Sequence, residues 1–333
     1  MTTAIGSRRG FSLTSMLNVA AHEFRLRIRA GRWRWLLGTW FVTLLVLTAV
    51  LRSALVSSGQ SQPGTDMFGG LMLFVLALAL LVVPSLTAQS VNGDRIRGVL
   101  ATLQTTLLTP AEIALGKLVA AWGTAVVFLL TAIPLAVWCV AEGGSALRVA
   151  VSLGITAILL GVMCAVAQCL SALFARTTTS AVMSYVLVFA LAIGTVIAFG
   201  LGTVLTQSTE IREAEDGARY EVTESYPERV WWLLAPNPFV IVADAAPRAP
   251  ADANLDEAAV RLDPLGAIGE VARSMRRPEP QQIAADGSVR GNEAPVWPVG
   301  LAFHVALGVG ALAITARRLR APYGQISKSV RVA

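Results

Sequence analysis

Six stretches of this chain are apolar over about 20 residues or more, and no other feature constrains its fold as strongly. A helix rises about 1.5 Å per residue, so about 20 apolar residues cross about 30 Å of hydrocarbon. The qualifying stretches are 35–56, 68–91, 118–140, 149–174, 181–205 and 296–316. Between them they carry most of the chain's hydrophobic residues, which make up 55% of 333, a share that a soluble protein cannot keep off its surface. The expected fold is an all-α polytopic membrane protein with six transmembrane helices.

The basic residues near the span ends set the expected orientation. Arg25, Arg27, Arg29, Arg32 and Arg34 precede the first span, and Arg95, Arg97 and Lys117 lie between the second and third. Arg176 joins the fourth span to the fifth, and Arg317, Arg318 and Arg320 follow the sixth. The alternate short connections offer only Arg148, with Arg52 just inside the first span. Both termini are therefore expected in the cytoplasm. Lys117 and Lys328 are the only lysines, a bias towards arginine that fits a GC-rich bacterial genome and a bacterial plasma membrane. The net charge of +6 gathers beside the spans, where it suits anionic membrane lipid and not nucleic acid. A signal peptide is not expected, because a long basic stretch precedes the first apolar run and no small-residue cleavage site follows it. Cys139, Cys164 and Cys169 sit inside apolar runs as small hydrophobes and imply no disulfide framework.

The expected organisation is an N-terminal segment 1–34, spans one to five over 35–205, an external segment 206–295, a sixth span 296–316 and a tail 317–333. In the first segment Leu17, Ala20, Ala21, Phe24 and Ile28 recur at helical spacing, with His22, Arg25, Arg29 and Arg32 on another face. That pattern predicts an amphipathic helix on the inner membrane surface, with Trp33, Trp35 and Trp40 at headgroup level beyond it. Glu210, Glu213, Glu215 and Asp216 open the external segment as a solvated charged face. The apolar stretch 231–246 is broken at Asn237 and Pro238, too short for a seventh span, and is expected to dip into the outer leaflet. Asp263 as N-cap and Pro264 in the first turn start a short helix with Leu265, Ile268, Ala272 and Met275 on one face. Arg276 and Arg277 precede the stopping Pro278, and 279–295 reads as a loop.

The connection 92–117 carries two helical signals. Ile96, Val99, Leu100, Leu103 and Leu107 share one face of a first helix. Thr109 and Glu112 then form a capping box with Pro110 at the first helical position, so a second helix starts there and runs into the third span. A helix, a break and a capped helix make a firm elbow able to carry force from a soluble partner.

This segment resembles that of the type-2 ATP-binding-cassette permeases, which reads approximately Glu-Arg-Glu-x-Gly-Thr-Leu-Glu, then Leu-Leu-x-Thr-Pro, then Glu-Ile-x-x-Gly-Lys. Asp94, Arg95, Gly98, Leu100, Leu103, Thr106, Glu112, Ile113, Gly116 and Lys117 fit, while Ile96, Val99, Ala101, Gln104 and Leu107 depart. With the family's later acids missing, Asp94, Arg95 and Arg97 are left as the polar surface. The order of spans and the Asn237-Pro238-Phe239 stretch are also similar to the family. The resemblance implies a permease subunit that docks through this elbow on a separate nucleotide-binding subunit and pairs with a second permease copy or paralogue. ATP and Mg2+ would be used by that partner. This chain has no phosphate loop of its own, since Gly116-Lys117 is followed by Leu118 and lacks the upstream glycine. Val56-Ser57-Ser58-Gly59-Gln60 only superficially resembles an ATPase signature, being expected outside the cell with no nucleotide-binding domain.

No catalytic group, cofactor or metal ligand set is expected of this chain. Gln168 and His304 are the main polar groups at span depth, where such groups more often bond a neighbouring helix than a substrate. An apolar bundle suits lipids, hydrophobic drugs or lipid-linked molecules. Two other readings stay open at this stage: a membrane anchor or scaffold for another complex, and a secondary carrier.

Overall fold

The computed structural model describes residues 11–29, 32–98, 108–213, 219–247, 263–276, 282–283, 289–290 and 294–320. Six helical stretches are long and apolar enough to cross a membrane: Trp33–Ser57, Gly64–Ile96, Pro110–Ala141, Ala146–Leu173, Thr177–Leu205 and Trp297–Leu319. Each contains or overlaps one of the expected spans, and the chain is a multi-pass membrane protein.

The described helices are α1 (Leu13–Arg29), α2 (Arg32–Ser57), α3 (Gly64–Thr87), α4 (Asn92–Ile96), α5 (Pro110–Leu130), α6 (Ile133–Ala141), α7 (Ala146–Leu173), α8 (Thr177–Phe189), α9 (Thr195–Leu205), α10 (Pro238–Ala245), α11 (Pro264–Ser274) and α12 (Trp297–Leu319). The central one is α7, which packs against α3, α5 and α12 and buries polar and apolar residues alike. Around it Leu71, Val75, Leu76, Phe128, Leu159 and Leu160 close the main core. Spans α2 and α8–α9 are peripheral, with Val42, Val46, Val186, Ile197 and Leu201 left exposed as a lipid-facing surface requires.

Two ends of the bundle follow from the chain's path. At the elbow end lie α4 and the start of α5. At the hairpin end an antiparallel pair, β1 (Ser208–Glu213) and β2 (Arg219–Glu224), follows α9, with Ser208 opposite Glu224 and Glu213 opposite Arg219. A second pair, β3 (Gln282–Ile283) and β4 (Val289–Arg290), belongs to the same segment. These short strands were not expected; of the acidic group read as a solvated face, Glu210 and Glu213 lie in β1, and Glu215 and Asp216 fall outside the described residues.

Several expectations need correction. Of the three tryptophans read as interfacial, Trp33 and Trp40 face the bundle and are buried, both meeting the Phe128 ring edge-on at 5.2 and 5.1 Å between centroids, and Trp35 alone of the three is exposed. Helix α1 has three faces where the sequence pattern gave two. Leu17, Ala21 and Ile28 are exposed on one face and His22, Arg25 and Arg29 on another, while Val19, Ala20, Glu23, Phe24 and Arg27 turn towards the bundle. The apolar pattern missed the third face because two of its members are charged.

The stretch 231–246 packs against the bundle, with Trp232 left exposed. After two short 3-10 turns, α10 packs against α7, α11 and α12 and buries Val240, Ile241 and Val242. Asn237 caps it, its Oδ1 accepting from Phe239 N at 2.9 Å and Val240 N at 3.3 Å. The same amide donates to Ala192 O at 2.8 Å, inside the π turn Ala190–Gly194 that interrupts the fifth span. Gly300 lets α12 press close, since a Cβ there would stand 2.0 Å from Ala235 O. Asp263 starts α11 by position but makes no cap bond; its carboxylate goes to the buried Arg148 at 2.6 Å. Arg52, also at this end, binds Glu142 at 2.7 Å and is the main cause that holds that carboxyl below its ordinary range.

Candidate functional site

The elbow is built from four elements brought together over short distances. After α3 the chain turns, and Val91 N and Asn92 N donate to Ser171 Oγ of α7 at 3.0 and 3.1 Å, which starts α4 with two of its free amides satisfied. Gly98 ends α4 with φ +72, a left-handed conformation that residues with a Cβ rarely adopt. Leu100, Leu103 and Thr106, and with them most of the predicted first helix, lie outside the described residues. The chain is described again from Leu108.

The predicted capping box is present with both of its bonds. Glu112 N donates to Thr109 Oγ1 at 3.3 Å, Thr109 N donates to Glu112 Oε2 at 2.6 Å, and Pro110 sits in the first turn. Glu112 does more than the sequence indicated. Its other oxygen, Oε1, accepts from Ser12 N at 2.6 Å, so one carboxylate serves the N-termini of both α5 and α1. The two helices then run side by side in the same direction. Gly116 permits their contact, because a Cβ there would meet Val19 Cβ at 2.8 Å and Met16 O at 2.9 Å. Gln168 Nε2 donates to Ala114 O at 2.9 Å and ties α7 to α5, the cross-helix bond expected of it. Among the described residues its counterpart His304 bonds only its own helix, through Nδ1 and Gly300 O at 3.0 Å. Beneath the elbow Val91, Ile113, Ala114, Ala172 and Leu319 form a small apolar cluster.

Charge is concentrated on the inner side. Lys117 is buried and its ammonium bridges Glu23 of α1 and Asp94 of α4. Asp94 also accepts from Arg97 at 2.9 Å. Asp94 is therefore not part of a polar outer surface: it is 6% exposed, and Glu112 and Lys117 are 2% exposed. The outward tip comprises Arg95, Ile96, Arg97 and Gly98, all exposed. Arg27 lines the same region, and burial pulls its guanidinium below the ordinary arginine value against the opposing pull of Glu23.

Chemically this is a joint. Lys117 ties α1, α4 and α5 together through Glu23 and Asp94, Glu112 and Gly116 seat α1 on α5, and a bare tip projects from the whole. The contacts of Glu23, Ser12 and Ser171 escaped sequence reading because their partners lie 94, 100 and 79–80 residues away. Asn237 and Pro238 stand at the opposite end, in the α10 lock described above. No protein-family model matches the chain, and comparison with curated proteins likewise gives no match.

Proposed function

We propose that this chain is the transmembrane permease subunit of an ATP-binding-cassette exporter. The observation that carries the reading is the elbow: a capped helix start, braced from inside by Lys117 and ending outside in an exposed Arg95–Arg97 tip. A joint of this kind moves as one body when pushed at the tip. The resemblance of the segment to type-2 permeases supports the same reading. On it, a separate nucleotide-binding subunit docks at Arg95 and Arg97 and hydrolyses ATP with Mg2+, while this chain has no catalytic role. Two permease halves enclose the path of a hydrophobic or lipid-like substrate. The bundle sits in a bacterial plasma membrane with the elbow and both termini in the cytoplasm.

Affinity capture of the tagged chain from its own host should bring down an ATPase subunit of this class. Reversing charge at the tip with Arg95→Glu and Arg97→Glu should abolish that capture while leaving the chain folded, because Arg95 makes no described ion pair and Arg97 is largely exposed. Recovery of the chain with no such subunit, or capture unaffected by the double substitution, would favour the scaffold reading.

Orientation has its own test. The native cysteines are all buried, so one introduced at the exposed Thr223 of β2 reads alone. It should react with a membrane-impermeant thiol reagent in intact cells or spheroplasts. Reaction only after lysis would invert the assignment.

A further inference from the structure

A cavity of about 1250 Å³ opens beside the elbow, between α1, the start of α2 and the end of α3. Its two sides differ in chemistry. Trp33, Trp35 and Leu36 of α2 make one apolar, and Glu23 and Arg27 of α1 with Ser90, Asp94 and Arg97 make the other polar. Among the described residues the polar side is unbalanced. Arg27, Arg97 and the adjoining Lys117 supply three positive charges against two negative ones from Glu23 and Asp94, a surplus of one. Lys117 and Arg97 are engaged by those carboxylates, so the surplus falls on Arg27. Among the described residues its Nη1 is buried without a hydrogen-bond partner, and so is the hydroxyl of Ser90.

A guanidinium edge taken out of water and left unpaired is costly, and an anion with several oxygens removes that cost. Phosphate meets a guanidinium fork on two oxygens and leaves others for a hydroxyl donor. The apolar side continues from this point onto the outer surface of α2, where Trp35 is 82% exposed and Leu36 44%. A free phosphate would leave that side unused. A molecule with a phosphate at one end and hydrocarbon at the other would cover both.

We propose that the cavity binds one anionic phospholipid, with its phosphate on Arg27 and Ser90 and its acyl chains along Trp35 and Leu36. The bound lipid joins α1 and α2 to the end of α3 and so stiffens the elbow from the membrane side. The site stands on the cavity itself and does not depend on the transport reading.

The test uses the full chain in nanodiscs of phosphatidylcholine alone or mixed with phosphatidylglycerol. Phosphatidylglycerol should raise the thermal unfolding midpoint of the wild type. Arg27→Gln should remove that rise and weaken phosphatidylglycerol retention in native mass spectrometry about tenfold or more, the effect of losing a charge-assisted bond. Arg25→Gln and Arg29→Gln, on the exposed face of the same helix, should keep both. Should Arg27→Gln not fold, Arg27→Lys keeps the charge without the fork and should retain the lipid less well than wild type. The proposal fails if phosphatidylglycerol gives no rise, if Arg25→Gln loses as much as Arg27→Gln, if Arg27→Lys retains lipid fully, or if inorganic phosphate in phosphatidylcholine discs protects equally well.

Discussion

Lys117→Met should destabilise the folded chain by about 3–5 kcal/mol, the scale on which removing one member of a buried ion pair strands the others. Methionine matches the length of the lysine stem, so little packing is lost and the effect is electrostatic. Two carboxylates, Asp94 and Glu23, would face each other with their shared ammonium gone. Adding Asp94→Asn and Glu23→Gln to Lys117→Met should restore part of the loss, because the two stranded carboxylates become neutral, while Arg27 loses the two acids that oppose its burial and the largely exposed Arg97 turns to solvent. Thermal unfolding in detergent reads both variants. Equal midpoints for wild type and Lys117→Met would mean that the bridge does not hold the elbow, and no recovery in the triple variant would mean that packing, not charge, is at issue.

The second large effect is expected at the hairpin end. Asp244 is fully buried and its carboxylate receives Arg273 together with Val296 N at 2.6 Å and Trp297 N at 2.7 Å, the amides at the start of α12. Arg273 also donates to Asp244 O at 2.7 Å. Asp244→Ala leaves a partly buried guanidinium, one buried amide and one partly buried amide without their acceptor, again about 3–5 kcal/mol. Asp244→Asn keeps an acceptor for the amides and loses the charge, so it should fall between alanine and wild type. Limited trypsinolysis is a sensitive readout: cleavage after Arg273 should accelerate in the order wild type, asparagine, alanine. A flat series would show that α11 is held by its apolar face alone.

Local signals in this sequence translated directly into structure. The spans are legible because burial in lipid demands uninterrupted apolar length, and the capping box because its partners are three residues apart. The α11 start is legible from Pro264 and a one-sided apolar pattern, and Asp263 holds the N-cap position the sequence indicates, but its side chain binds Arg148 where the sequence suggests a cap bond. Distance explains the difference, since Arg148 lies 115 residues upstream. Asp94 was misplaced on the surface for the same reason: a carboxylate beside two arginines reads as solvated until Lys117 arrives from another helix. The hairpin did leave a trace that went unread, with Thr209 and Ile211 in β1 and Tyr220 and Val222 in β2 alternating with charged residues. Among the elbow residues Thr109, Pro110, Glu112 and Gly116 were legible as a unit, and their docking onto α1 was not.

The bond from Ser12 to Glu112 also orders events in time. A ribosome adding about 5–20 residues per second makes Glu112 about 5–20 s after Ser12. Throughout that interval α1 has no α5 to lie against, and Glu23 has no lysine. The first two spans must therefore settle in the bilayer while α1 waits, its arginines free to act as orienting charges. Only when the third span threads in does α1 swing onto it, so a helix made before the spans is among the last to find its place.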